Sequence, residues 1–204
     1  MQAPLKLRWA TPPSWLETVM ADFVAFLQDH AANERKVCHA ALTLAAQYPE
    51  HPSLVDASIE IAREELDHFE RIYRVLRERG HGLGQDLPDP YAGAMRRLER
   101  KGRMGAQLMD RLLIFALIEA RGYERFALVA DALQQRAEVF GAPDDAELAG
   151  LYRELAGSEA RHRATYLRIA RELFAAEQLE PRLDELLVAE AAITAELPLR
   201  AALH

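Results

Sequence analysis

Apolar residues recur at spacings of three and four along four long stretches of this chain, the pattern of helices that each bury one face. The first stretch carries Leu16, Met20, Phe23, Leu27, Ala41 and Leu44 on its stripe, and the second carries Leu54, Ile61, Ile72 and Val75. The third stripe runs through Leu108, Leu112, Phe115, Phe126, Val129 and Leu133, the fourth through Leu148, Tyr152, Leu155, Tyr166, Ile169 and Leu173. Prolines and glycines divide these stretches, because proline cannot continue a helix and glycine favours its end. The predicted helices cover about 14–48, opening on a Ser14-x-x-Glu17 capping box, 52–79, stopped by Gly80, 104–140, stopped by Gly141, and 143–177, with Pro143 in its first turn. A shorter helix is expected after Pro181, and another short one within Ala92–Arg100 of the Gly- and Pro-containing segment from Gly80 to Arg103.

The first and second helices, and the third and fourth, are joined by only a few residues, so each pair should be an antiparallel hairpin. The second and third are joined by a long crossover. That connectivity predicts a single all-α domain over 1–204, a ferritin-like four-helix bundle with a long crossover and a short extra C-terminal helix.

The stripes are interrupted by ionisable residues. Glu34 falls on the first stripe, Glu65 and His68 on the second, Glu119 on the third, and Glu159 and His162 on the fourth. An unpaired buried carboxylate costs several kcal/mol, roughly, so this placement demands partners. The second and fourth helices each carry Glu-x-x-His, which puts a carboxylate and an imidazole one turn apart on one face, able to grip the same ion. Height agrees: Glu34 and Glu65 are nearly equidistant from the first hairpin link, and Glu119 and Glu159 match across the second to within about two turns. Four carboxylates and two imidazoles cannot neutralise one another, whereas two divalent ions balance four carboxylates. The six residues are therefore expected to ligate two metal ions, with Glu65 and Glu159 bridging. Iron or manganese suits such oxygen and nitrogen donors, and redox chemistry favours iron. His30 and Glu64 stand beside the ligands in sequence and Arg161 precedes His162, so these three are candidates to orient ligands from behind. Tyr166 reads as a core aromatic.

Composition narrows the function. A single cysteine, Cys38, excludes an internal disulfide and a cysteine-built metal cage, and reads as a small buried hydrophobe. The net charge of −7 argues against broad nucleic-acid binding. Against that balance, Arg96, Arg97, Arg100, Lys101 and Arg103 form a local basic run, which is either a solvated face or a docking surface. No apolar run has the length of a signal peptide or a bilayer span, so a cytoplasmic protein with no membrane partner is expected.

Several blocks resemble those of the MiaE-type bacterial tRNA hydroxylases, ferritin-like di-iron proteins acting on 2-methylthio-N6-isopentenyladenosine. They are Ala10-Thr11-Pro12-Pro13-Ser14-Trp15-Leu16, Arg63-Glu64-Glu65-Leu66-Asp67-His68-Phe69, Tyr91-Ala92, Glu119-Ala120-Arg121 with Glu124-Arg125-Phe126-Ala127, and Ser158-Glu159-Ala160-Arg161-His162. The resemblance spans roughly Trp9 to Arg171. It implies an O2-dependent monooxygenase with two iron ions, which hydroxylates the isopentenyl side chain beside the tRNA anticodon with electrons from an external donor. An anticodon-loop base is already unpaired and can be splayed into a pocket at modest cost. With tRNA as partner, the basic run becomes the favoured docking surface, Arg96, Arg100 and Arg103 sharing one side of a short helix. A monomer or small oligomer is expected. The competing reading is a ferritin- or rubrerythrin-like iron oxidation or storage protein without an organic substrate, which would assemble into a large cage; a di-manganese catalase would differ in metal and in peroxide turnover.

Overall fold

A computed structural model describes residues 5–102 and 104–204. Among these residues the regular structure is helical: α1 (Pro13–Ala21), α2 (Phe23–Gln47), α3 (Pro52–Glu78), α4 (Pro90–Arg96), α5 (Met104–Phe140), α6 (Pro143–Leu173) and α7 (Ala176–Glu196). None of these helices is long and apolar enough to cross a membrane. The chain separates into two compact units, Pro13–Asp89 with Leu199–His204, and Met1–Pro12 with Pro90–Pro198.

The unit built on Pro13–Asp89 contains the α2–α3 hairpin. Pro52 occupies the first turn of α3, where its missing N–H is no loss. At the other end Gly80 has φ of 76°, and the amides of Gly80 and His81 turn back to the carbonyls of Arg77 and Leu76 at 3.0 and 2.9 Å. This left-handed closure satisfies carbonyls that would otherwise end the helix unpaired.

The first predicted helix is interrupted. Asp22 breaks it into α1 and α2, its side chain accepting a hydrogen bond from the Ala25 amide as an N-cap. The break shifts the buried face, so α1 buries Trp15 and Val19, where an unbroken stripe would bury Leu16 and Met20. Helix α1 begins at Pro13, which places Ser14 inside the first turn, with its carbonyl accepting from Thr18 Oγ1 (2.8 Å); the Ser14–Glu17 capping box does not open the helix.

The second unit is organised by the α5–α6 hairpin, with α4 and α7 against α5. Helix α5 closes on Gly141, at φ 63°, and α6 opens on Pro143 with Asp144 and Asp145 facing the positive end of its dipole. Helix α7 starts at Ala176, ahead of Pro181, and runs for 21 residues. The Ala175 carbonyl accepts from the amides of Gln178 and Leu179, which nucleates the first turn before the proline is reached. Helix α5 buries Leu113, Ile114 and Leu117 as well as Leu108, Leu112, Phe126, Val129 and Leu133 of its stripe.

The crossover is fastened by Asp110 of α5. Its fully buried carboxylate accepts from the Arg100 amide (2.8 Å) and guanidinium (2.7 Å) and from Arg182 Nε of α7 (2.9 Å). Burial alone would raise the Asp110 pKa, but the hydrogen bonds from Arg100 and Arg182 outweigh it and hold the group below its ordinary value of 3.8. A carboxyl depressed by folding stabilises the fold above its unfolded pKa and loses that contribution as pH falls through the folded one. Asp110→Asn should therefore cost about 2 kcal/mol at pH 7, a figure reduced from a dry ion pair because Arg100 remains half-exposed. Chemical denaturation at pH 7 and pH 3 checks it: the gap between parent and variant should narrow in acid, and an undiminished gap contradicts the assignment.

Candidate metal centre

In the Pro13–Asp89 unit, α2 supplies Glu34 and α3 supplies Glu65 and His68, all buried. One donor atom from each lies within 4.8 Å of the others. His68 Nδ1 stands 3.3 Å from Glu65 Oε2 and 3.6 Å from Glu34 Oε2. The second Glu34 oxygen, Oε1, is 2.5 Å from Nε2 of fully buried His30, one helical turn away. Burial opposes the charge on Glu34, but a hydrogen bond shared with Glu65 and the neighbouring His30 and His68 outweigh it and hold its carboxyl below the usual range. Burial likewise opposes a charged His68, yet the carboxylates of Glu34 and Glu65 push its pKa up to about 10. The trio is thus a compact cluster in which two carboxylates face one imidazole, an arrangement that favours positive charge between them.

In the second unit α5 supplies Glu119 and α6 supplies Glu159 and His162, again buried, with one donor atom from each within 4.8 Å of the others. His162 Nδ1 lies 4.0 Å from Glu119 Oε2. Gly122, one turn beyond Glu119, leaves a cradle that the Glu159 carboxylate fills: a β-carbon there would meet Glu159 Oε2 at 3.1 Å. By the spacing of three and four, Gly122 falls on the third stripe between Phe115 and Phe126, and a glycine at a core position of a long helix is the available signal.

Each unit therefore offers two carboxylates and one imidazole, a donor set suited to a divalent transition metal and unsuited to soft-metal chemistry. The surrounding candidates divide. Glu64 is half-buried beside Glu65. Arg161 is exposed, and its guanidinium donates to Ser158 Oγ at 2.8 Å, one turn back on its own helix. Cys38 is half-buried, where full burial was expected; burial and the charge of Glu65 push its thiol pKa up, which disfavours the thiolate as a ligand. Tyr166 is buried against Phe115, ring centroids 5.3 Å apart, as a core aromatic.

The basic run behaves as two groups. Arg96, Arg97 and Lys101 are exposed. Arg100 is committed to Asp110, and α4 ends at Arg96, so Arg96 and Arg100 do not share one helix face as expected. The chain turns away because Asp110 captures the Arg100 amide and guanidinium together. Arg103 lies outside the described residues.

Three comparisons extend these observations. A family model described as tRNA-(MS[2]IO[6]A)-hydroxylase (MiaE) matches residues 3–204. A Pseudomonas putida protein named tRNA 2-(methylsulfanyl)-N(6)-isopentenyladenosine(37) hydroxylase is 38% identical over 160 residues, 78% of this chain and 72% of that protein. A Salmonella typhimurium protein of the same name is 30% identical over 173 residues, 83% of this chain and 58% of the relative. Among solved structures, Protein 43 with aldehyde deformylating oxygenase activity from Synechococcus superposes with a TM-score of 0.85 at 34% identity, over 97% of this chain and 94% of that one. The last likeness fixes the all-α, ferritin-like fold class. With a match from residue 3 to the end, and the Glu-x-x-His helices buried as that chemistry requires, the chain belongs to the MiaE family of tRNA hydroxylases.

Proposed function

We propose that this protein is a non-haem di-iron monooxygenase that hydroxylates the isopentenyl side chain of 2-methylthio-N6-isopentenyladenosine next to the tRNA anticodon. The observation that carries this reading is the pair of buried Glu/Glu/His trios in a chain of this family. In this reading 1–204 works as one ferritin-like domain, and Glu34, Glu65, His68, Glu119, Glu159 and His162 hold two iron ions. When bound, such a pair supplies the activation of O2, so that one oxygen atom enters the C–H bond and the other leaves as water, with two electrons from an external donor and two protons. The chain's own part is to hold the ligands and keep water out. His30 holds Glu34 through Nε2, and the apolar stripes on either side of the ligands exclude solvent. The setting is cytoplasmic, the assembly a monomer or small oligomer.

Exposed Arg96, Arg97 and Lys101 are the candidates for tRNA phosphates. Charge reversal of all three should weaken tRNA binding about tenfold or more and make its salt dependence shallower by up to about three, since each phosphate contact contributes about one to that slope. Iron loading should be unchanged. Equal affinity in parent and variant across a salt series would return the segment to a solvated face. Arg100 is left intact in this variant because its loss would disturb Asp110.

The function is tested by supplying the gene to cells that make the prenylated nucleoside but lack the hydroxylase, then analysing tRNA nucleosides by mass spectrometry. Gain of one oxygen on the isopentenyl group is expected; its absence, with iron-loaded protein present, overturns the reading. The Synechococcus likeness favours a second reading, oxygen-dependent deformylation of an aldehyde, and the purified protein should be assayed with an aldehyde in parallel. Large spherical particles in size-exclusion chromatography would instead support iron storage.

A further inference from the structure

Gly122 stands in the interior of α5, where glycine is among the least favourable helical residues. Its backbone does not require glycine, since the left-handed glycines are Gly80, Gly102 and Gly141. What distinguishes it is the neighbour across the hairpin. A β-carbon at 122 would stand 3.1 Å from Glu159 Oε2 and 3.5 Å from its Cδ and Cγ, so the Glu159 carboxylate would have to give way by a few tenths of an ångström. The volume of the missing side chain is occupied by the Glu159 carboxylate. Three residues after Glu34, at the corresponding register of the other hairpin, the chain has Val37.

We propose that Gly122 is a positioning residue for Glu159: by carrying no side chain it gives that carboxylate a bay against α5, and so the freedom to change how it ligates. A carboxylate that can rotate or withdraw opens a coordination position without any backbone movement. This rests on the ligand set proposed above.

The full chain is titrated with ferrous iron under anaerobic conditions, and the metal-free protein is melted, for the parent, Gly122→Ala and Gly150→Ala. Gly150 is also helical, and nothing lies within 4 Å of where its β-carbon would stand. Gly150→Ala should raise the melting temperature and leave the titration unchanged. Gly122→Ala should keep its helical content but bind one of two ferrous equivalents about tenfold more weakly, the usual effect of disturbing a group that orients a ligand, and alter the circular dichroism of the ferrous protein. Ferrous affinities within twofold of the parent, with the same spectrum, overturn the proposal. A parent that binds fewer than two equivalents overturns the ligand set instead. Should Gly122→Ala unfold, the crowding is read in a Glu159→Ala background without metal: there Gly122→Ala should raise the melting temperature as Gly150→Ala does, and a failure to do so places the clash elsewhere and overturns the assignment.

Discussion

His68→Ala and His162→Ala should each abolish hydroxylation of the tRNA nucleoside and lower metal affinity by more than about a hundredfold, while far-UV circular dichroism stays that of the parent. Each substitution removes one of the two imidazoles from the six donors, and no cysteine is close to serving as a substitute with its thiol pKa raised. The helices do not depend on either histidine, because Leu54, Ile61, Ile72 and Leu76 bury the same face of α3, and Leu148, Leu155, Ile169 and Ala170 that of α6. Iron per chain, nucleoside mass spectrometry and the spectrum together decide the matter. Variants that keep both iron and product would remove the histidines from the ligand set.

The second large effect concerns stability. Arg121 and Glu190 are both fully buried, with Arg121 Nη2 2.8 Å from Glu190 Oε1 and 3.0 Å from Oε2, and Nε 2.9 Å from Oε1. Glu190 also accepts from Tyr91 Oη (3.2 Å) and Thr194 Oγ1 (2.9 Å), so one carboxylate joins α4, α5 and α7. Arg121 pairs with Glu124 as well, and Thr11 Oγ1 donates to Glu124 at 2.6 Å. Buried Arg125 is nearby, its pKa brought down to about 10 by burial and by the charge of Arg121. Two guanidinium groups thus share two carboxylates. Glu190→Gln would leave them one, and breaking such a pair from a single side costs about 3–5 kcal/mol. The melting temperature should fall by roughly 10 °C. Asp184→Asn, which breaks an exposed pair with Arg8, should cost under about 1 kcal/mol and is the control. Equal losses in the two variants would show that burial of the pair is not what matters.

The ligand positions were legible in the sequence because a glutamate on an apolar stripe contradicts its surroundings, and only a partner or a metal resolves the contradiction. Gly80 and Gly141 were legible because a helix end needs a left-handed residue there. Asp22 was not, since spacings of three and four run through it from Leu16 to Leu27 and mask a capping aspartate. Pro181 misled for a related reason: proline marks a first turn well, but here the first turn was already closed on the Ala175 carbonyl. Arg100 reads as surface charge until Asp110, ten residues on, is seen to be buried beneath it. The Arg121–Glu190 pair spans 69 residues, and helical periodicity carries no information about which distant carboxylate a buried arginine meets.

The last six residues have a consequence for how the protein is made. Leu199–His204 belongs with the Pro13–Asp89 unit, where Trp15 Nε1 donates to the Ala202 carbonyl (3.1 Å), the Leu203 amide donates to Asp29 Oδ2 (2.7 Å), and His204 Nδ1 lies 3.3 Å from Asp89 Oδ2. The α2–α3 hairpin leaves the ribosome early, yet the segment that caps Trp15 and Asp29 is synthesised only after all of 90–198. At about 5–20 residues per second the hairpin waits about 5–20 s with that surface uncovered. During that interval Trp15 and Asp29 lack the segment that caps them, so chaperone engagement with the hairpin should fall once Leu199–His204 has been made.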